Sequence, residues 1–293
     1  MTRFGLSVAL TTPFDQNGEI LIDMMIAQAR RSIDAGCASC TLFGTTGEGA
    51  SIGSLERERV LAAFIDAGIA PEQIVVGVLV DAAEDAVLQS SQALSKGVRN
   101  ILLAPPSYFK NVSDDGLFGW YAKVFKDLGK LARDIIVYNI PSVTMVPLSV
   151  SLVGRLKQAF PGIVTGVKDS SGDWPYTQEL LKAHSDLIIL IGDERHLAEG
   201  VRRGGQGAIS GMANFAPHEI GAMANEGRDD ARVVDFVVEL LKYPVTPAVK
   251  AMVARQLGDD NWLAVRAPLL SISKDGQKQL GLVFDGLFRT KAA

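Results

Sequence analysis

IVTGVKDSSGD, residues 163–173, ends a run rich in β-branched residues in Lys168 and follows it at once with a cluster of turn-formers. A strand that closes on a lysine sets an amine where buried backbone meets a loop, and lysine is seldom buried without a partner. Seven further runs are bounded in the same way by Gly, Pro, Asp or Ser: GLSVAL (5–10), ASCTLF (38–43), QIVVGVL (73–79), RNILLA (99–104), DIIVYN (134–139), LIILI (187–191) and GAIS (207–210). Short apolar runs of this kind read as strands buried on both faces. Amphipathic segments lie between them. The clearest is SLERERVLAAFIDAG (54–68), with Ser54 placed to cap, charges in its first turns and Gly68 at its end. Strands that alternate with helices through eight repeats predict a parallel sheet closed into a (β/α)8 TIM barrel. An open doubly wound sheet would carry a glycine-rich phosphate loop after its first strand, but the sequence there is TTPFDQNG. The barrel is expected over residues 1–216. Residues 217–293, which include ARVVDFVVELLKY (231–243), read as the last barrel helix and a C-terminal helical extension packed on the barrel.

Bulk properties narrow the function. The chain has 293 residues, 47% hydrophobic and 21% charged, with a net charge of −4, values ordinary for a globular protein. A pI near 5.5 and the lack of basic runs predict no nucleic-acid partner. The apolar run in MTRFGLSVALTTPF is too short for a secretory signal, and no segment reaches the roughly 18 apolar residues of a membrane span. A cytoplasmic protein with no membrane partner is expected. Cys37 and Cys40 have C-x-x-C spacing, but a structural zinc needs about two more Cys or His ligands. His184, His196 and His218 fall on other predicted elements. The cysteines therefore read as core thiols, and no metal site is expected.

In a barrel the C-terminal ends of the strands carry the chemistry, and Lys168 occupies such an end. Strand parity puts Gly166 and Val164 on its face, with Gly166 leaving space beneath the amine. The preceding strand ends in Tyr138 at the matching height, and neighbouring strands lie about 4.8 Å apart. An amine adds to a ketone only when unprotonated, and an exposed lysine, with a pKa about 10.4, is almost wholly charged. Burial in an apolar barrel mouth disfavours the charged form. An imine on the amine then makes the substrate an electron sink, while a neighbouring phenol moves protons. The structural alternative is a lysine paired with Asp169 or reaching to the rim. After the second strand, FGTTGEGASIGSLERERV (43–60) has glycines 44, 47 and 49 around Thr45 and Thr46. Inward N–H groups with two hydroxyls suit a small carboxylate; a plain strand-to-helix connection is the alternative.

GTTGE, YNIPS and GVKDSSGD, in this order and each at a predicted strand end, resemble the dihydrodipicolinate synthase and N-acetylneuraminate lyase family over essentially the whole chain. The resemblance implies a cytoplasmic homotetramer built from tight dimers. It implies a lyase that needs no cofactor, with Lys168 forming a Schiff base with pyruvate or another 2-keto acid. Tyr138 is then the acid and base, Thr46 passes protons and, with Thr45, holds the carboxylate. Gly47, Gly192 and Ile209 would line the site, and Tyr108 in APPSYFKN would complete a neighbouring subunit's relay, although this loop departs from the family's PYYN pattern.

A second departure bears on the substrate. Synthases of the family read Y-N-x-P-S-R-T-G after the fifth strand, and the arginine holds the acid group of aspartate semialdehyde. Here Val143 takes the arginine's place and Met145 the glycine's. A charge-assisted contact is worth about 1.5–3 kcal/mol, so the resemblance favours aldol cleavage, condensation or dehydration of a 2-keto-3-deoxy acid. The synthase proper and a non-catalytic keto-acid-binding paralogue remain as alternatives. Glu194, Arg195 and His196, in GDERH (192–196), read either as polar readers of the second substrate or as an exposed first helical turn.

Overall fold

A computed structural model describes residues 3–289. Eight parallel strands close into a barrel in sequence order: β1 Gly5–Ala9, β2 Ser39–Leu42, β3 Ile74–Val78, β4 Asn100–Leu103, β5 Ile135–Asn139, β6 Val164–Asp169, β7 Ile188–Ile191 and β8 Gly207–Ser210. The intervening helices are α1 Ile22–Asp34, α2 Ser54–Asp66, α3 Ala83–Leu94, α4 Asp114–Leu128, the single turn α5 Pro141–Thr144, α6 Val150–Ala159, α7 Trp174–Ala183 and α8 Glu194–Arg202. After β8, α9 Pro217–Glu226 returns along β1 and β8 and closes the outer ring. Three helices follow: α10 Ala231–Leu240, α11 Val245–Leu257 and α12 Lys274–Phe288. They pack on one another, and Phe215, Phe236, Phe284 and Phe288 form a cluster of edge and stacked ring contacts between them and the barrel.

Strand alternation divides the core. Val76, Ile101, Val137, Val167 and Ile189 point outward to the helices, whereas Val75, Leu102, Ile136, Tyr138, Leu190 and Ile209 fill the interior. Phe4 closes the lower end, with the Arg99 guanidinium 4.3 Å from its ring centre. Both cysteines are buried and free, and burial pushes each thiol up to about 12, as inert core thiols require. No helix of the described residues is long and apolar enough to cross a membrane.

Three local readings are corrected. Gly53, not Ser54, stands at the N-cap of α2, and its N–H is met by Glu56 Oε2 at 3.3 Å. Val164 does not share the face of Lys168. Ile135 faces Val164 and Ile136 faces Gly166, so Thr165 is left over as a bulge, and Val164 joins the outer core. An extra residue of this kind reverses the parity of everything before it. Gly166 leaves no free space either, because a Cβ there would lie 2.5 Å from the Ile188 carbonyl oxygen. It is glycine so that β7 can approach.

The second strand ends with an unusual backbone. Phe43 has φ 59°, a region a bulky L-residue seldom adopts. Its carbonyl is thereby turned between two glycines: a Cβ on Gly49 would sit 1.8 Å from Phe43 O, and one on Gly77 2.5 Å away. The buried Arg57 side chain braces the same turn, donating to the carbonyls of Ile52 (2.9 Å), Gly77 (2.7 Å) and Gly49 (2.6 Å). Its guanidinium lies 4.8 Å from the Phe43 ring centre, and desolvation lowers its pKa to about 10. We expect Gly77→Ala to destabilise the protein by about 1–3 kcal/mol through overpacking against the turn, seen as a lower urea midpoint.

Candidate active site

The bulge at Thr165 sets the register that makes Lys168 the direct partner of Tyr138 across β5 and β6. Lys168 is 6% exposed, and its Nζ donates to the Tyr138 hydroxyl at 3.2 Å. It also lies 4.4 Å from the centre of that ring. The structural alternative for this lysine fails on the neighbouring carboxylate. Asp169 faces the other way and accepts from Asn139 Nδ2 (3.0 Å), Ser171 N (3.1 Å) and the Thr177 hydroxyl (2.6 Å). Among the described residues no carboxylate forms an ion pair with Lys168.

Lys168 and Tyr138 open into a cavity of about 190 Å³ lined also by Thr45, Thr46, Gly192, Glu194 and Ile209. That is less than the roughly 300–1,000 Å³ typical of drug-sized sites, so the chamber suits a small metabolite. Its roof is apolar: Val237 and Leu240 of α10, Leu241, and Val245 and Val249 of α11. Sequence reasoning missed this roof because its partners are distant strand ends.

The expected residues divide on inspection. Gly192 and Ile209 line the chamber, and the Gly192 amide donates to Asp169 O at 2.7 Å. Val143 lines it at the edge and is 60% exposed. The N–H groups of Thr45 and Thr46 have no acceptor among the described residues, whereas those of Gly47, Glu48 and Gly49 close the turn onto Thr45 O and Gly44 O. The cradle is therefore two amides wide. Gly47 does not line it: a Cβ there would lie 2.6 Å from Leu10 O, and its carbonyl accepts from the Thr12 hydroxyl, so its place is beneath the turn. The hydroxyl nearest the Tyr138 phenol belongs to Thr45, at 3.4 Å, instead of Thr46. The turn aims the Thr46 side chain at Gly211, whose ideal Cβ would be 3.3 Å from Thr46 Oγ1. Tyr108 is outside the chamber in its own chain, 77% exposed, on a loop whose amides 107 and 108 donate to Asp81.

The GDERH stretch splits three ways. His196 stacks on Trp174 with ring centres 5.1 Å apart. Arg195 pairs with Asp193 at 2.6 Å. Glu194 turns into the chamber, where the Ser210 hydroxyl donates to its Oε1 at 2.6 Å. Desolvation holds its carboxyl above the usual carboxylate range, reinforced by Asp193 and opposed by the Ser210 hydrogen bond and Lys168.

The C-terminal helices secure the turn that bears the cradle. Lys250 of α11 and Glu48 are fully buried and paired at 2.6 Å, and Lys250 also donates to Thr12 O at 2.8 Å. Glu48 Oε2 accepts from the Arg266 amide at 2.9 Å. The Arg266 guanidinium in turn forks onto Glu56 (2.6 and 2.9 Å) and Gly18 O. The Thr246 hydroxyl donates to Thr45 O at 3.1 Å.

This geometry has relatives. The model of the dihydrodipicolinate synthetase family matches residues 3–285. The chain belongs to that family. It is accordingly an enzyme of the lyase class. The crystal structure of dihydrodipicolinate synthase from Agrobacterium tumefaciens is similar at a TM-score of 0.97 and 66% identity, over 98% of this chain and 100% of that one. A 4-hydroxy-tetrahydrodipicolinate synthase of Hyphomonas neptunium is 32% identical over 218 residues, 73% of this chain and 72% of its own. An uncharacterized DapA-like lyase of Chloroflexus aurantiacus is 29% identical over 278 residues, 92% of each chain.

Breaking one partner of a buried ion pair costs about 3–5 kcal/mol. Lys250→Met should cost this much in urea unfolding, because it strands the Glu48 carboxylate. The double change Lys250→Met with Glu48→Leu should recover part of the loss.

Proposed function

We propose that the protein is a class I lyase that binds pyruvate or a longer 2-keto acid as an imine on Lys168. The observation that carries this reading is the buried Lys168 amine, free of a carboxylate and 3.2 Å from the Tyr138 hydroxyl. The substrate carboxylate sits on the Thr45 and Thr46 amides, which directs the C2 carbonyl to Nζ. Nitrogen adds to C2, Tyr138 supplies the proton with which the carbonyl oxygen departs as water, and the C=N bond forms. Tyr138, backed by the Thr45 hydroxyl at 3.4 Å, then takes a proton from C3 to give the enamine. The imine is itself the electron sink, so the route calls for no further cofactor.

The second half of the reaction is aldol chemistry or dehydration of a 2-keto-3-deoxy acid. Val143 supports this choice, since it leaves the chamber edge without the cation that a semialdehyde's carboxylate would need. The synthase reading is favoured by a different observation, the 66% identity to the Agrobacterium tumefaciens protein described as dihydrodipicolinate synthase. Turnover of pyruvate with aspartate semialdehyde, set beside turnover of 2-keto-3-deoxy acids, separates the two. For assembly we propose the homotetramer of the family, which light scattering would test; the exposed side chains of Tyr108, Phe109 and Met145 support an interface.

Borohydride reduction with pyruvate should add one pyruvyl mass at Lys168, located by peptide mass spectrometry. An adduct on another lysine would exclude the mechanism. Tyr138→Phe should lower kcat by about 10²–10⁴-fold with the fold retained.

A further inference from the structure

Two groups able to move protons line the chamber at the ends of the strands that flank Lys168. Tyr138 stands at the end of β5 and is engaged with Lys168 and Thr45. Glu194 opens α8 after β7, beyond the amine. The other carboxylate of the lining, Asp193, is taken up by Arg195. Glu194 has no basic partner among the described residues, and Ser210 fixes only its Oε1. Its Oε2 has no hydrogen-bond partner among the described residues. No arginine lines the chamber, and Lys168 is its single lysine among the described residues, so nothing there answers a second carboxylate on the substrate.

We infer that Glu194 is the acid that protonates a departing C4 hydroxyl, which makes the second half-reaction the dehydration of a monocarboxylic 4-hydroxy-2-keto acid. The inference rests on the imine at Lys168. The imine can follow two courses. Cleavage of the C3–C4 bond requires a base to take the proton from the C4 hydroxyl, and the electrons of that bond form the enamine. Elimination begins instead with loss of the C3 proton to Tyr138, and the resulting enamine requires an acid to protonate the C4 hydroxyl as it departs. A carboxyl lining the chamber without a basic partner, and held by burial above its usual range, is better suited to the second task than to the first. In the elimination the C4–O bond breaks, the C3=C4 bond forms and the iminium is restored, while the Glu194 proton leaves in water. Hydrolysis from Lys168 then releases the 3,4-unsaturated 2-keto acid. The proton gained by Tyr138 balances the one given by Glu194, and no oxidant or reductant takes part.

The test uses the full-length enzyme with 4-hydroxy-2-oxopentanoate and 2-keto-3-deoxygluconate as probes, and the isosteric variant Glu194→Gln. The expected result is water loss from at least one probe without release of pyruvate. Glu194→Gln should lower that kcat by about 100-fold or more, while borohydride still fixes pyruvate on Lys168. The wild-type rate should fall as pH rises through the elevated range of Glu194, and the variant should lack this limb. Pyruvate as the product, an unimpaired variant, or inertness of both probes in an enzyme that still labels at Lys168 would each overturn the role of Glu194. Failure of wild-type labelling would instead overturn the imine reading beneath it.

Discussion

A buried amine with no carboxylate to neutralise it is the constraint on which the rest of this site depends. Burying such a group without a counter-charge is costly, and the adjacent acid could have relieved it. The strand alternation prevents this: Lys168 faces the barrel interior, and Asp169 faces the helices, where three donors hold it. The same bonds tie β5 to β6 and to α7 one residue beyond the reactive pair. The phenol and the amine are therefore held by a polar network that never enters the chamber. Its direction matters as much as its strength, because it turns the adjacent carboxylate away from the Lys168 amine.

A second requirement concerns the two amides proposed to hold the substrate's carboxylate. Two amides at Thr45 and Thr46 are left without acceptors because the following three close the turn. That shape depends on the left-handed Phe43, on glycines where its carbonyl passes, and on Arg57 spanning three carbonyls. Backbone strain of this kind persists only where surrounding contacts over-determine it. Here they come from two directions, the Arg57 brace below and the Lys250–Glu48 pair behind.

Much of this was legible in the sequence. Apolar runs punctuated by turn-formers located all eight strands, and the strand ends placed Tyr138 beside Lys168. What failed did so for identifiable reasons. The bulge at Thr165 moved Val164 to the other face, and no residue type announces a bulge of this sort. The space expected at Gly166 is filled by β7, since a glycine marks a close approach without saying by what. Periodicity read Arg57 only among the charges in the first turns of an amphipathic helix, whereas its partners are carbonyls to which that helix is anchored. Neither Lys250 nor the roof residues carried a local signal. Their meaning lies in contacts some 200 positions away, such as the 202 positions that separate Lys250 from Glu48.

That separation bears on how the enzyme is made. A ribosome that has released Ser210 has delivered every strand, while α9, which closes the outer ring, is still to come. Glu48 at that moment has neither Lys250 nor the Arg266 amide, and the chamber has no ceiling. Every strand, and with them Tyr138 and Lys168, thus precedes in the chain the helices that roof the chamber, so the ceiling can be set only by the last segments to be made.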